Sequence, residues 1–219
     1  SDFKNHTIIY IENDESIVNT INELFLVENN KKLVLMTNDS KIPNFVESFT
    51  QKWYDIHWIS WKPNNEEALK LANIQNAKEF ILFKEENNKN SDIFMISYII
   101  QIRTLNEKIK IIWEICDNKN KKLFTNAWCN VIINTELLSE TLLIRNLKDD
   151  VHIVIEDLLS NSYWYEIYNI ALDKKWIWKT ISDINEFYAN KNYNIISIKD
   201  INNTLHFEKN YKIENGDTC

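Results

Sequence analysis

Short β-branched runs alternate along the chain with longer segments whose apolar residues recur every three or four positions, and this alternation predicts a parallel sheet with crossover helices. His6 to Ile11 reads as a first buried strand, and Glu15 to Phe25 as a helix carrying Ile17, Ile21, Leu24 and Phe25 on one face. Lys32 to Thr37 is a second strand, a helix after Pro43 buries Phe45, Val46 and Phe49, and Asp55 to Ser60 is a third strand. Asn64 to Asn73 is helical, with Asn in the cap region and Glu in the first turn, as helix starts prefer. Glu79 to Phe83 gives a fourth strand, Ser91 to Leu105 a long amphipathic helix, and Lys108 to Ile115 a fifth strand. A short helix from Asn118 to Asn126 then precedes a sixth strand, Asn130 to Ile133.

Six β/α repeats within residues 1–135 match the size of one Rossmann-like domain, an α/β fold with a parallel six-stranded sheet and flanking helices. From Glu136 the pattern changes. Two helical segments, Glu136 to Leu147 and Val151 to Leu159, follow one another with no strand between them. Their apolar content reads as an oligomer seam over residues 136–160, with Leu138, Leu142, Leu143, Val154 and Leu158 as the interface candidates. Residues 161–219 read as a strand (Trp164 to Ile170), a helix (Ile181 to Tyr188), a strand (Tyr193 to Ile198) and shorter strands, a small α+β unit.

Composition narrows the function classes. The 219 residues include one glycine, Gly216, and two prolines, Pro43 and Pro63, where average usage would give roughly 15 glycines. Collagen-like and flexible-linker readings are excluded. Apolar residues at 44% and aromatics at 12% supply ample core. A formal charge of −7 argues against nucleic acid as a partner, because phosphate recognition needs a basic field. The longest apolar stretch, Ile93 to Ile102, is about half the ~20 residues needed to cross a bilayer, so membrane contact is expected through a partner or another segment. The three cysteines show no CxxC pair, and a reducing, cytoplasmic setting is the simplest reading. Heavy use of Asn, Ile and Lys fits an AT-rich genome, so isolated Asn and Lys residues carry little functional weight.

A dinucleotide domain places a glycine-rich phosphate cradle at its first strand-to-helix turn. Here that turn reads Ile11-Glu12-Asn13-Asp14-Glu15-Ser16. It lacks every glycine and puts negative charge where a diphosphate would lie, which disfavours NAD and ATP. Asp14 as a helix cap is the plainer reading, and a cation held by these carboxylates is the alternative. Asn38 and Asp39 follow the second strand, where an acidic residue would hold a ribose, although Asp39 could equally cap the next helix. Glu114 and Asp117 end the fifth strand and are candidate contacts for a polar ligand or divalent cation; Asp117 is equally a candidate N-cap. The four histidines are scattered without metal-ligand spacing, and no nucleophile elbow, P-loop or HExxH is present, so catalysis has no visible carrier.

Asn64 to Phe83, Asn90 to Asp117 and Lys122 to Leu138 together resemble the RCK family, the regulators of potassium conductance, also called TrkA-type domains. Leu69, Ala72, Ile74 and Ala77 match the family block before its fourth strand, and Asn90 opens the following helix. Asp117 ends the next strand, and Val131 with Ile132 match the strand before the seam; Asn134 stands where the family usually has proline. Trp164 to Asp217 is similar to the C-terminal subdomain, through Glu166-Ile167-Tyr168, Lys179-Thr180-Ile181, Asn194 to Ile198 and Gly216-Asp217. That subdomain is expected to be incomplete, because the family's last strand follows its Gly-Asp turn. Departures fall at the nucleotide site: the glycine turn is lost, the Gly-Asp after the third strand is Trp61-Lys62, and an Arg at the end of the fifth strand is Glu114. The resemblance implies a cytoplasmic regulatory domain of a potassium channel or uptake system. Such a domain would pair as a homodimer, assemble into a ring as large as an octamer, and couple ligand binding to a membrane-embedded pore in the same or another chain. The alternatives are a structural ring domain with an idle crevice and, third, an NAD-dependent oxidoreductase.

Overall fold

The computed structural model describes residues 3–12, 17–27, 32–38, 44–51, 54–84, 90–147, 155, 171–189 and 194–219. The chain divides into two compact units, Ser1–Val154 and Ile155–Cys219.

The first unit is built on six strands: β1 (Thr7–Ile11), β2 (Lys32–Thr37), β3 (Asp55–Ser60), β4 (Glu79–Leu82), β5 (Lys110–Glu114) and β6 (Val131–Ile133). All pair in parallel, in the order β3-β2-β1-β4-β5-β6. The connecting helices are α1 (Ile17–Val27), α2 (Asn44–Gln51), α3 (Glu66–Leu71), α4 (Ser91–Leu105) and α5 (Lys121–Asn126), and α6 (Thr135–Asn146) follows β6. Side-chain alternation divides each central strand between two cores. Ile8 and Tyr10 of β1 join Val34, Met36, Phe80, Leu82 and Trp113 under α3, α4 and α5. Ile9 and Ile11 join Leu33, Leu35, Ile17, Ile21 and Phe49 under α1 and α2. Every residue of β1 is buried, as a strand covered on both faces requires.

Local chemistry sets the helix starts. The Asn65 side chain accepts from the Ala68 amide at 3.0 Å, and the Asn134 side chain accepts from the Leu137 amide at 2.8 Å, so each asparagine is an N-cap. Asn134 therefore opens α6 without proline. No residue of α6 is buried in the chain.

In the second unit, Trp176, Ile181, Ile184, Ile198 and Ile213 form a small core. Helix α7 (Ile181–Tyr188) starts on a capping box between Thr180 and Asp183. The predicted strand from Tyr193 to Ile198 is corrected: the strand is β7 (Ile198–Lys199), paired antiparallel with β8 (Leu205–His206). The reason lies at Asn185, whose side-chain oxygen accepts from the Ile195 amide while its amide donates to the Ile195 carbonyl. Both backbone groups of Ile195 are spent on a side chain, which leaves that residue nothing for a ladder. Thr218, just past the Gly-Asp turn, bridges to Lys199 and to Ala171.

The second seam segment, Val151 to Leu159, and the strand expected at Trp164 to Ile170 lie outside the described residues, apart from Ile155 in the former, which is helical. Among the described residues no helix is long and apolar enough to cross a membrane.

Candidate functional site

In an open parallel sheet, ligands bind beyond the carboxyl ends of the strands, where the strand order reverses. Here the reversal falls between β1 and β4. On the β1-β2-β3 side, Glu12 leaves β1, Asn38 follows β2 and Lys62 follows β3. The Lys62 ammonium lies 2.9 Å from Glu12 Oε1, and the Asn38 amide donates to the same oxygen at 3.4 Å. Both charged side chains are about a third exposed, 31% for Lys62 and 29% for Glu12. The sheet thus brings Glu12 and Asn38 together, with Lys62 as a third partner on the same carboxylate oxygen. Asn13, Asp14 and Asp39 lie outside the described residues.

On the β4-β5 side the Thr135 hydroxyl donates to Glu114 Oε1 at 2.7 Å. The Lys84 ammonium lies 3.8 Å from Glu114 and 3.3 Å from Glu136. Asp117 has a different occupation: its side chain accepts from the Lys119 amide at 2.9 Å and caps a short 3-10 turn, Asn118–Asn120. Glu114 and Asp117 therefore each have separate partners. Among the described residues no group of three or more His, Cys, Asp or Glu is arranged to hold a metal ion.

The carboxylate that organises this end is Asp92, in the first turn of α4 and 1% exposed. Its oxygens accept from the Cys116 amide at 2.9 Å, the Asp117 amide at 3.0 Å and the Asn120 side chain at 2.9 Å. A concavity of backbone N–H groups, such as an anion would fill, is filled here by the chain's own aspartate. Burial, with Asp92 beside it, pushes the Cys116 thiol up to about 11, and burial pushes Cys129 up to about 11. Both stay protonated at neutral pH and are poor nucleophiles.

Sequence reasoning missed Lys62, Lys84, Asp92 and Thr135. The signal for Lys62 was visible in the Trp61-Lys62 departure after the third strand. The others form contacts across sequence separations that no local pattern carries. Away from the crevice, a groove of about 780 Å³ runs along α4 and α5, lined by Ile100, Arg103, Thr104 and Trp128 among others. Its Arg103 is structural, donating to the carbonyls of Glu107, Ile109 and Trp128, and burial lowers its pKa.

Strand order and crevice together define a Rossmann-like domain of the dinucleotide-binding topology whose phosphate turn has lost its glycines. Residues 2–113 match the model of the calcium-activated potassium channel slowpoke-like RCK domain, and the chain belongs to that family of potassium-channel regulatory domains. Among solved structures, the chain is similar to the TrkA-N domain of inner membrane protein ybaL from Escherichia coli (18% identity, TM-score 0.53, 68% of this chain and all of that one). It is also similar to the human SLO3 gating ring (13% identity, TM-score 0.70, 97% of this chain and 43% of that one). A third likeness is to GsuK bound to ADP (17% identity, TM-score 0.52, 68% of this chain and 36% of that one). The chain thus spans less than half the length of the SLO3 gating-ring chain and of the GsuK chain. No curated protein sequence matches it.

Proposed function

We propose that the chain is a cytoplasmic regulatory domain that pairs through α6, assembles with further copies toward a ring, and acts on a membrane-embedded potassium pore in the same or another chain. The observation that carries this reading is α6 itself. Leu137, Leu138, Leu143 and Ile144 are exposed on a helix with no buried residue, as is Leu147 just after it, and Leu142 is only half-buried. Such a surface gains its stability by docking on another apolar surface. The family and the likeness to a gating ring supply the context in which a second copy is that surface.

The crevice supports regulation without an exchangeable nucleotide. One related structure holds ADP, but here Glu12 stands at the β1 turn and carries Lys62 as its counter-ion. A diphosphate would have to displace an ammonium from a carboxylate and then face that carboxylate, which is unfavourable in both steps. Divalent cation at Glu114 and Asp117 has weaker geometric support, since Asp117 caps a turn. The thiols of Cys116 and Cys129, held protonated by burial, are poor nucleophiles, which favours a non-enzyme. A second reading, a structural ring domain with an idle crevice, is favoured by the Lys62–Glu12 pair alone.

Thermal unfolding in the presence of millimolar NAD, ATP, Ca2+ or Mg2+ tests the ligand side. The expected result is no stabilisation by either nucleotide. A clear upward shift with NAD or ATP would overturn the reading of the crevice.

A further inference from the structure

Helix α6 has no buried residue, and its first turn is tied to its own domain by polar contacts. The Ile115 amide donates to the Ile133 carbonyl at 2.8 Å, fixing the strand that leads in. The Thr135 hydroxyl donates to Glu114 at 2.7 Å, tying the first helical residue to the end of β5. The Lys84 ammonium stands between Glu114 at 3.8 Å and Glu136 at 3.3 Å.

Lys84 follows directly on the last residue that pairs with β1, since the Phe83 amide donates to the Tyr10 carbonyl at 3.1 Å. It is therefore rooted at the floor of the crevice, where β1 and β4 meet. Its side chain is 24% exposed and Glu114 16%, whereas Glu136 is 70% exposed. The leg to Glu114 is sheltered and the leg to Glu136 is open to water and salt, so the second breaks first.

We propose that Lys84 is an ionic latch that sets the direction of α6 from the crevice floor, with Glu114 as its fixed end and Glu136 as its releasable end. The latch is a property of one chain. Its consequence for a pore rests on the reading of α6 as the pairing helix. Whatever draws the Lys84 ammonium away frees the first turn to swing about Thr135. Lys84 is thus a positioning residue acting through Glu136.

Hydrogen exchange followed by mass spectrometry on the 219-residue chain tests the latch. It is read in the native sequence and in a Leu143→Asp background, where pairing cannot mask the helix. Lys84→Met and Glu136→Gln are expected to speed exchange in peptides covering α6 by about two- to five-fold, the range a partly exposed ion pair supports. Exchange in β1 and β4 stays as in the native chain, Lys84→Arg restores slow exchange, and salt near 1 M narrows the difference. Unchanged α6 exchange in both variants would overturn the latch. So would a Lys84→Arg chain as fast as Lys84→Met, or acceleration spread equally over the core strands. Glu136 is largely exposed, so its variant remains informative if Lys84→Met fails to fold. A native chain that is monomeric by light scattering would contradict the pairing reading and leave the latch result standing.

Discussion

Lys62 and Glu12, separated by fifty positions in sequence, meet at 2.9 Å across the carboxyl ends of β3 and β1. Glu12 stands at the start of the turn where a dinucleotide domain carries its glycines. Because both side chains are about a third exposed, solvent screens the attraction. A double-mutant cycle with Lys62→Ala and Glu12→Ala is expected to show a coupling of about 1 kcal/mol or less by urea unfolding. A coupling several times larger would mean the crevice is far drier than its exposure indicates.

Asp92 is the polar residue on which the β5 end depends most. Replacing it with alanine leaves the Cys116 and Asp117 amides and the Asn120 side chain without their acceptor. Hydrogen bonds to a charged group and stranded donors each cost on the order of 1–3 kcal/mol, so Asp92→Ala is expected to destabilise the chain by about 3–5 kcal/mol. The midpoint of urea unfolding measures it. A loss below about 1 kcal/mol would show that the turn finds other partners.

Much of this fold was legible because buried parallel strands are short apolar runs and their crossover helices keep a 3.6-residue period. Ile9 and Ile11 facing one core while Ile8 and Tyr10 face the other follows from strand alternation alone. The strand expected around Ile195 was misread because Asn185, ten residues away, supplies its backbone partners. The candidate site was legible only in part. Glu12, Asn38 and Glu114 stand at strand ends because the topology puts them there. Their partners Lys62, Lys84 and Thr135 come from other loops, which local pattern cannot join. The one glycine is not at the nucleotide turn: Gly216 adopts φ +102°, and a Cβ there would meet Ile201 Cγ2 at 2.8 Å.

His6 gives the first unit a pH dependence of defined sign. Its Nε2 lies 2.8 Å from the Ala72 carbonyl, so Nε2 carries the proton, and Nδ1 is buried with no partner among the described residues. Burial lowers its pKa below the usual 6.5; the Ala72 bond opposes this, and the neighbouring His57 and Lys32 charges add to it. Between the lowered value and 6.5 the unfolded chain binds more protons than the folded one, so stability rises with pH there. The contribution is complete above about pH 6.5 and is lost as pH falls through the folded value. His6→Gln keeps a donor for Ala72 and removes the titration. Its urea midpoint is expected to depend less on pH than that of the native chain from about pH 7 to about pH 5. Equal slopes would place the acid sensitivity elsewhere.

The pairing of two copies through α6 is the claim on which the regulatory reading turns, and sedimentation equilibrium over a range of concentrations tests it most directly. Leu143 is 69% exposed, so Leu143→Asp leaves the fold intact while placing a charge in the proposed seam. The native chain is expected to reach at least twice the monomer mass as concentration rises, and the Leu143→Asp chain to remain monomeric with an unchanged circular dichroism spectrum. A native chain that stays monomeric at every concentration, or a Leu143→Asp chain that associates as strongly as the native one, would contradict the account.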